Sequence, residues 1–170
     1  IKEPNPFLGW RGIRFLLDNE KLFKTQIRAL LRASAHKNIK VMLPMITSIQ
    51  EIRRSKKLIE CCKDELRNEG KEFDNDLNVG IMIEVPSAAV MAEEFAEEVD
   101  FISIGTNDLI QYLLAVDRGN EIVSPLYKEF HPAVIRTLYK IIHSGKMGEA
   151  RVSICGEMAA DILATPLLVG

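Results

Sequence analysis

Four short apolar runs alternate with longer segments of helical periodicity, and that alternation leaves few folds open to this chain. The runs are Asn38 to Ile46 (N-I-K-V-M-L-P-M-I), Asn78 to Ile83 (N-V-G-I-M-I), Asp100 to Gly105 (D-F-I-S-I-G) and Arg151 to Cys155. Each has the length and bounding residues of a buried strand, the first ended by Pro44. Arg11 to His36 reads as mostly helical, with Leu22, Ile27, Leu30 and Leu31 at near-helical spacing. A long helix carries Ile49, Ile52, Ile59, Cys62 and Leu66 and is stopped by Gly70. Pro86 opens another that continues through Ala88 to Ala96, since proline suits a first helical turn. Further helices are expected from about Asp108 to Val116, from His131 to Ser144 and from Met158 to Leu168.

The order is βαβαβαβα with apolar strands, which implies a parallel sheet covered by helices. No repeat, linker or low-complexity segment interrupts residues 1–170, so one domain is expected. Two α/β architectures fit: an open doubly wound sheet, or part of a (β/α)8 TIM barrel. A barrel takes about 250 residues. Four or five units in 170 residues would form an arc of one, with open sheet edges. The chain opens at Ile1 without a methionine and stops at Val169-Gly170 after an apolar run, so both ends read as cut.

Composition narrows the partners. Apolar residues make up 47% and charged residues 27%, with a net charge of −2. The basic residues are scattered among acids, which argues against the basic patch that nucleic acid requires. No apolar run approaches the roughly 20 residues that span a bilayer. Cys61, Cys62 and Cys155 are an odd set, pointing to reduced thiols and the cytoplasm. Cys61 and Cys62, adjacent on a helix, read as core or surface filler.

The polar residues cluster at strand ends. Glu84 follows Ile83; Thr106, Asn107 and Asp108 follow Gly105; Gly156 and Glu157 follow Cys155. In parallel α/β folds the carboxyl ends of the strands converge on one face, where ligands bind. Glu84 and Asp108, from successive strands, are therefore candidate ligands for Mg²⁺, a hard cation that accepts two carboxylates and keeps other positions for water and substrate oxygens. The alternative is that each caps the helix that follows it, a reading that holds equally for Asp108 but is weaker for Glu84, which precedes a proline at the end of an apolar strand. Cys155 is open to three readings: nucleophile, acid, or small buried hydrophobe. Arg11 and Arg118 lie in loops, where a guanidinium clamps phosphate or carboxylate unless it is solvated or paired.

Other signals carry no function. Asp74, Asp76 and Asn78 resemble the start of a calcium loop, but Val79 and Val85 stand where that loop needs Gly and Glu. Glu93, Glu94, Glu97 and Glu98 form a solvated helix face. His36, His131 and His143 lack ligand spacing, and no glycine-rich phosphate loop is present.

At these same residues the chain resembles the phosphoenolpyruvate-utilising enzymes, most closely the Enzyme I branch of the bacterial sugar phosphotransferase system. The blocks are N-P-F-L-G-W-R-G-I-R (Asn5 to Arg14), V-M-L-P-M-I (Val41 to Ile46), I-E-V-P-S-A-A (Ile83 to Ala89), D-F-I-S-I-G-T-N-D-L-I-Q-Y (Asp100 to Tyr112), A-V-D-R-G-N (Ala115 to Asn120) and C-G-E-M-A (Cys155 to Ala159). Leu113 and Ala160 depart from residues common in the family, without touching a chemical role. The resemblance implies a phosphoenolpyruvate-binding (β/α)8 barrel, of which this chain is an incomplete part. It implies Mg²⁺ on Glu84 and Asp108, phosphate contact from Asn107, and charge neutralisation by Arg11 and Arg118. Cys155 would protonate the methylene carbon of enolpyruvate, a step that a thiol, largely protonated at neutral pH, is fitted to perform.

The implied reaction moves the phosphoryl group from phosphoenolpyruvate to a histidine in a separate domain and on to the histidine-containing carrier protein HPr, releasing pyruvate. The parent is expected to be a homodimer, and the fragment alone to turn over no substrate, since that histidine domain and further substrate arginines are not in it. Two rivals are a barrel of pyruvate phosphate dikinase or phosphoenolpyruvate synthase, and a non-catalytic module that senses phosphoenolpyruvate. A metal-dependent lyase is a third, but it leaves the Asn5 to Arg14 and Ala115 to Asn120 blocks unexplained.

Overall fold

A computed structural model describes residues 3–169; Ile1 and Gly170, at the ends read from sequence as cut, lie outside the described residues together with Lys2. Four strands, β1 (Val41–Leu43), β2 (Val79–Ile83), β3 (Phe101–Gly105) and β4 (Arg151–Cys155), form one sheet in the order β1-β2-β3-β4. Every pairing is parallel. The helices are α1 (Ile13–Asp18), α2 (Glu20–Ala33), α3 (Ile49–Asn68), α4 (Pro86–Val90), α5 (Ala92–Ala96), α6 (Thr106–Leu114), α7 (Pro132–Met147) and α8 (Thr165–Val169).

The register separates the two faces of the sheet. Leu43, Ile81, Ile83, Ile102 and Ile104 are buried in the hydrophobic core with Val152 and Ile154 packed against it, and the helices cover this side. Met42, Gly80 and Phe101 share the other face, as do Met82, Ser103 and Ser153, and then Gly105 and Cys155. Exposed Met42 and Ser153 mark that face as uncovered among the described residues. A doubly wound sheet carries helices on both faces and reverses its strand order. A sequential parallel sheet covered on one side is an arc of a (β/α)8 barrel, and its second face is the barrel interior.

Close packing sets β2 against β3 at Gly80. A methyl group there would lie 2.4 Å from the Phe101 carbonyl oxygen and 2.5 Å from its ring. Gly80→Val is expected to destabilise the sheet by about 2–3 kcal/mol, read as a lowered denaturation midpoint.

Several element boundaries differ from the sequence expectation. The helix expected over Arg11 to His36 begins at Ile13 and breaks at Asn19, whose backbone (φ −117°, ψ 56°) leaves the helix while its side-chain amide bonds the Phe15 carbonyl at 2.9 Å. The first strand is only Val41–Leu43, because Pro44 has no N–H and Met45 turns to a positive φ of 57°. The helix expected through Ala88 to Ala96 is two short ones, interrupted at Met91 (φ −94°, ψ 21°). In place of one helix over Met158 to Leu168 there is a 3₁₀ turn, Glu157–Ala160, and then α8. Asp161 causes the break: its carboxylate accepts the Leu163 N–H and its carbonyl the Ala164 N–H. The α3 boundary follows its signals. Ser48 accepts the Glu51 N–H, the Glu51 carboxylate accepts the Ser48 N–H at 2.9 Å, and Gly70 (φ 65°) follows the helix.

Candidate active site

The short β1 is what places the first carboxylate. Since Met45 turns out of the strand, its N–H donates to Glu84 Oε1 at 2.7 Å. Glu84 directly follows β2 and is only 6% exposed. Burial pushes its carboxyl above the usual range, and the charge of Asp108 adds to the rise; the Met45 N–H and Arg11 oppose it.

Asp108 comes from the next strand end. The helix expected from about Asp108 starts two residues earlier, at Thr106, so Thr106, Asn107 and Asp108 all lie in its first turn. That end of a helix carries partial positive charge and favours a carboxylate. Asp108 is 7% exposed and its Oδ2 accepts from Arg11 Nη2 at 3.0 Å. Arg11 stands just before α1, brought here because the Ile13 N–H bonds the Pro44 carbonyl at 3.3 Å. Three of the sequence candidates, Arg11, Glu84 and Asp108, thus form one buried or half-buried group.

The others assemble one strand further on. Asn107 Oδ1 accepts the Glu157 N–H at 2.9 Å. Arg118 Nη1 pairs with Glu157 Oε1 at 3.1 Å, while its Nε is buried with no hydrogen-bond partner among the described residues. Cys155 is half-buried at the end of β4: Ser103 Oγ donates to its sulfur at 3.3 Å, and the thiol donates to the Ile104 carbonyl at 3.4 Å. The Thr106 hydroxyl donates to the Cys155 carbonyl at 2.8 Å and ties β4 to the start of α6. The two groups are joined through the adjacent residues Asn107 and Asp108.

Three supporting residues, Gln111, Ser103 and Met45, were not identified from sequence, and Thr106 was noted only as one of the polar residues at a strand end. Gln111 Oε1 accepts the Arg118 N–H at 3.1 Å and holds that loop to α6. Ser103, Thr106 and the Met45 backbone orient Cys155 and Glu84 as described. Ser103 had a signal, a polar residue inside an apolar strand. Gln111 and Met45 had none, because their roles depend on contacts between separate strand ends.

Gly156 is the tight point of this face. Its φ is 99°, and a methyl group would lie 2.4 Å from Thr106 Oγ1 and 2.7 Å from Asn107 Oδ1. Gly156→Ala is expected to cost about 1–3 kcal/mol of stability, read by thermal unfolding, and to displace Asn107.

Glu84 and Asp108 suit a hard divalent cation. Both present oxygen, both are buried, and their mutual repulsion would be relieved by positive charge between them. Among the described residues no third His, Cys, Asp or Glu joins them. Two carboxylates alone leave positions for water and substrate oxygens, the usual arrangement for Mg²⁺. A cavity of about 500 Å³ lies beside this group, lined by Phe7, Arg14, Met45, Val85, Tyr112 and Val116 among others. Neither carboxylate lines it, and its mainly apolar wall does not match a small multiply charged substrate. The chemistry therefore belongs to the polar strand ends.

The chain belongs to the family described as PEP-utilising enzyme, PEP-binding domain, whose model matches residues 1–170. Among curated proteins it is 54% identical over 169 residues to phosphoenolpyruvate-protein phosphotransferase of Haemophilus influenzae, an alignment covering 99% of this chain and 29% of that protein. It is 48% identical to the protein of that name from Bacillus subtilis, covering 99% of this chain and 30% of that protein. The chain thus spans about 30% of the length of the curated relatives it matches. A solved citrate lyase from Burkholderia xenovorans LB400 shares the fold, with a TM-score of 0.59 at 19% identity over 80% of this chain and 43% of that one. Among the described residues no helix is long and apolar enough to cross a membrane.

Proposed function

We propose that residues 1–170 are one incomplete barrel domain, part of the phosphoenolpyruvate-binding catalytic domain of a phosphoenolpyruvate-protein phosphotransferase. The phosphoryl group passes from phosphoenolpyruvate to a histidine in a separate domain and then to HPr, and pyruvate is released. The observation that carries the reading is the convergence of Glu84, Asp108 with Arg11, and Asn107 with Arg118 and Cys155 at the ends of three adjacent parallel strands. The names of the relatives support the same reaction.

Glu84 and Asp108 would hold Mg²⁺, which when bound neutralises charge on the transferring phosphoryl group. Arg118 and Arg11 neutralise the remaining substrate charge, and Asn107 contacts the phosphate. The unpartnered Nε of Arg118 fits this role, since a buried N–H without an acceptor is rare unless a ligand satisfies it. Arg11 exchanges its bond to Asp108 for substrate oxygen, or shares it.

Loss of the phosphoryl group leaves the enolate of pyruvate. Cys155 gives its thiol proton to the methylene carbon, and the thiolate recovers a proton from solvent. Ser103 and the Ile104 carbonyl hold the sulfur in place on the barrel interior. The full-length protein acts in the cytoplasm as a homodimer.

Removing Arg118 tests the substrate site. In the full-length protein, Arg118→Ala is expected to raise the KM for phosphoenolpyruvate about 10- to 100-fold, the value of a charge-assisted hydrogen bond to an anion. An unchanged KM would contradict the assignment.

A further inference from the structure

On the outer side of the arc, away from the strand ends, α2 and α3 are joined by a charged cluster that includes a cysteine. Lys24 of α2 sits between two residues one turn apart on α3: its Nζ is 3.1 Å from Cys61 Sγ and 3.0 Å from Glu65 Oε1. Cys61 Sγ also lies 3.6 Å from Glu65 Oε1. Arg28 holds the other oxygen of Glu65 at 3.1 Å and pairs with Glu69 at 2.8 Å, fixing the carboxylate in place. Cys61 is exposed, whereas its neighbour Cys62 is buried. An amine and a thiol in contact on two packed helices, with a fixed carboxylate beside both, are more than a surface ion pair requires.

We propose that Lys24 and Cys61 are a covalent modification site at which hydrogen peroxide oxidises the thiol and the lysine amine then closes a sulfur–nitrogen bond between α2 and α3. In the first step the thiolate attacks peroxide; a sulfur–oxygen bond forms, the oxygen–oxygen bond breaks, and the hydroxide released takes a proton from the Lys24 ammonium, leaving sulfenic acid, water and a neutral amine. In the second, the Lys24 nitrogen attacks that sulfur and displaces hydroxide, which takes a proton from nitrogen and leaves as water. The sulfur is oxidised once and peroxide is reduced once, so no other oxidant is needed. A thiol reductant restores both side chains.

The surroundings favour the sequence. Exposure admits peroxide to Cys61, and the Lys24 nitrogen already lies 3.1 Å from its sulfur. The bond to Cys61 is also the largest cause holding the Lys24 ammonium above its usual range, with the bond to Glu65 second. Conversion to neutral sulfenic acid removes the first of these and makes the amine easier to free. Glu65, held below the usual carboxylate range chiefly by Lys24, stays ionised and keeps the amine beside the sulfur. Cys62 cannot substitute, since burial raises its thiol pKa.

The test uses the protein at its full length, treated with hydrogen peroxide and mapped by tryptic mass spectrometry. The expected product joins the Lys24 and Cys61 peptides, is two hydrogens lighter than their sum, resists cleavage after Lys24, and reverts with dithiothreitol. The crosslink closes a long loop and should raise the melting temperature of the domain by several degrees. Lys24→Arg keeps the charge beside Glu65 and leaves Cys61 oxidisable, but should give neither the crosslink nor the rise. Recovery of Cys61 as sulfinic acid or as an intermolecular disulfide, with normal cleavage after Lys24, would overturn the proposal.

Discussion

Cys155→Ala in the full-length protein is expected to slow pyruvate formation by about 10²- to 10⁴-fold, the usual contribution of a positioned acid. Binding of phosphoenolpyruvate should change little, because the side chain touches Ser103 and the Ile104 carbonyl but neither carboxylate nor either arginine. The kcat effect should therefore appear without a matching KM effect. Ser103→Ala removes the hydroxyl that holds the sulfur and is expected to give a smaller loss of the same kind. Rapid-quench measurement of pyruvate release, beside equilibrium binding of substrate, separates the two quantities. Undiminished turnover in Cys155→Ala would reduce the residue to packing.

Glu84→Gln should lose Mg²⁺-dependent activity by about 10³-fold, several kcal/mol of charge stabilisation, and yet not lose stability. The amide oxygen can still accept the Met45 N–H. The sign with pH follows from the raised carboxyl. The folded chain keeps the Glu84 proton where the unfolded chain has already lost it, so the contribution of Glu84 to stability is greatest below the ordinary glutamate pKa, about 4.3. It falls as pH rises from there through the raised folded value. The glutamine variant lacks that decline. At neutral pH without Mg²⁺ it should unfold at an equal or higher temperature than the unaltered protein, and added Mg²⁺ should stabilise only the latter. Mg²⁺ affinity of the unaltered protein should start to fall on acidification at a higher pH than an exposed carboxylate pair would show. Calorimetric titration at several pH values, beside thermal unfolding, checks each part.

The strands were legible because a buried parallel strand leaves little choice of residue. Val79 to Ile83 and Arg151 to Cys155 fall where their apolar runs do. The hidden features are those in which a backbone contact from another element overrules a local pattern. Asn38 to Ile46 reads as an apolar strand ended by Pro44, but nothing local shows that Pro44 and Met45 turn away to bond Ile13 and Glu84. The apolar residues near Met158 and Leu168 suggest a helix, but Asp161 satisfies nearby N–H groups and divides it. For the site, placement at strand ends was sufficient to nominate Glu84, Asp108 and Cys155. The paired carboxylates themselves suggested Mg²⁺, while the role of Cys155 came from resemblance, as did the choice of barrel over doubly wound sheet. The pairing of Arg11 with Asp108, 97 residues away, and of Arg118 with Glu157 had no local signature. Long-range pairs of this kind are set by how the strand ends converge.

The most direct measurement supplies the full-length protein with phosphoenolpyruvate labelled on phosphorus, Mg²⁺ and HPr, with no nucleotide present. The account predicts that label reaches HPr, with pyruvate released in proportion, and that chelation of Mg²⁺ stops the transfer. Label that moves only when nucleotide is added would point to a dikinase or synthase; label that never moves would contradict the phosphotransferase reading outright.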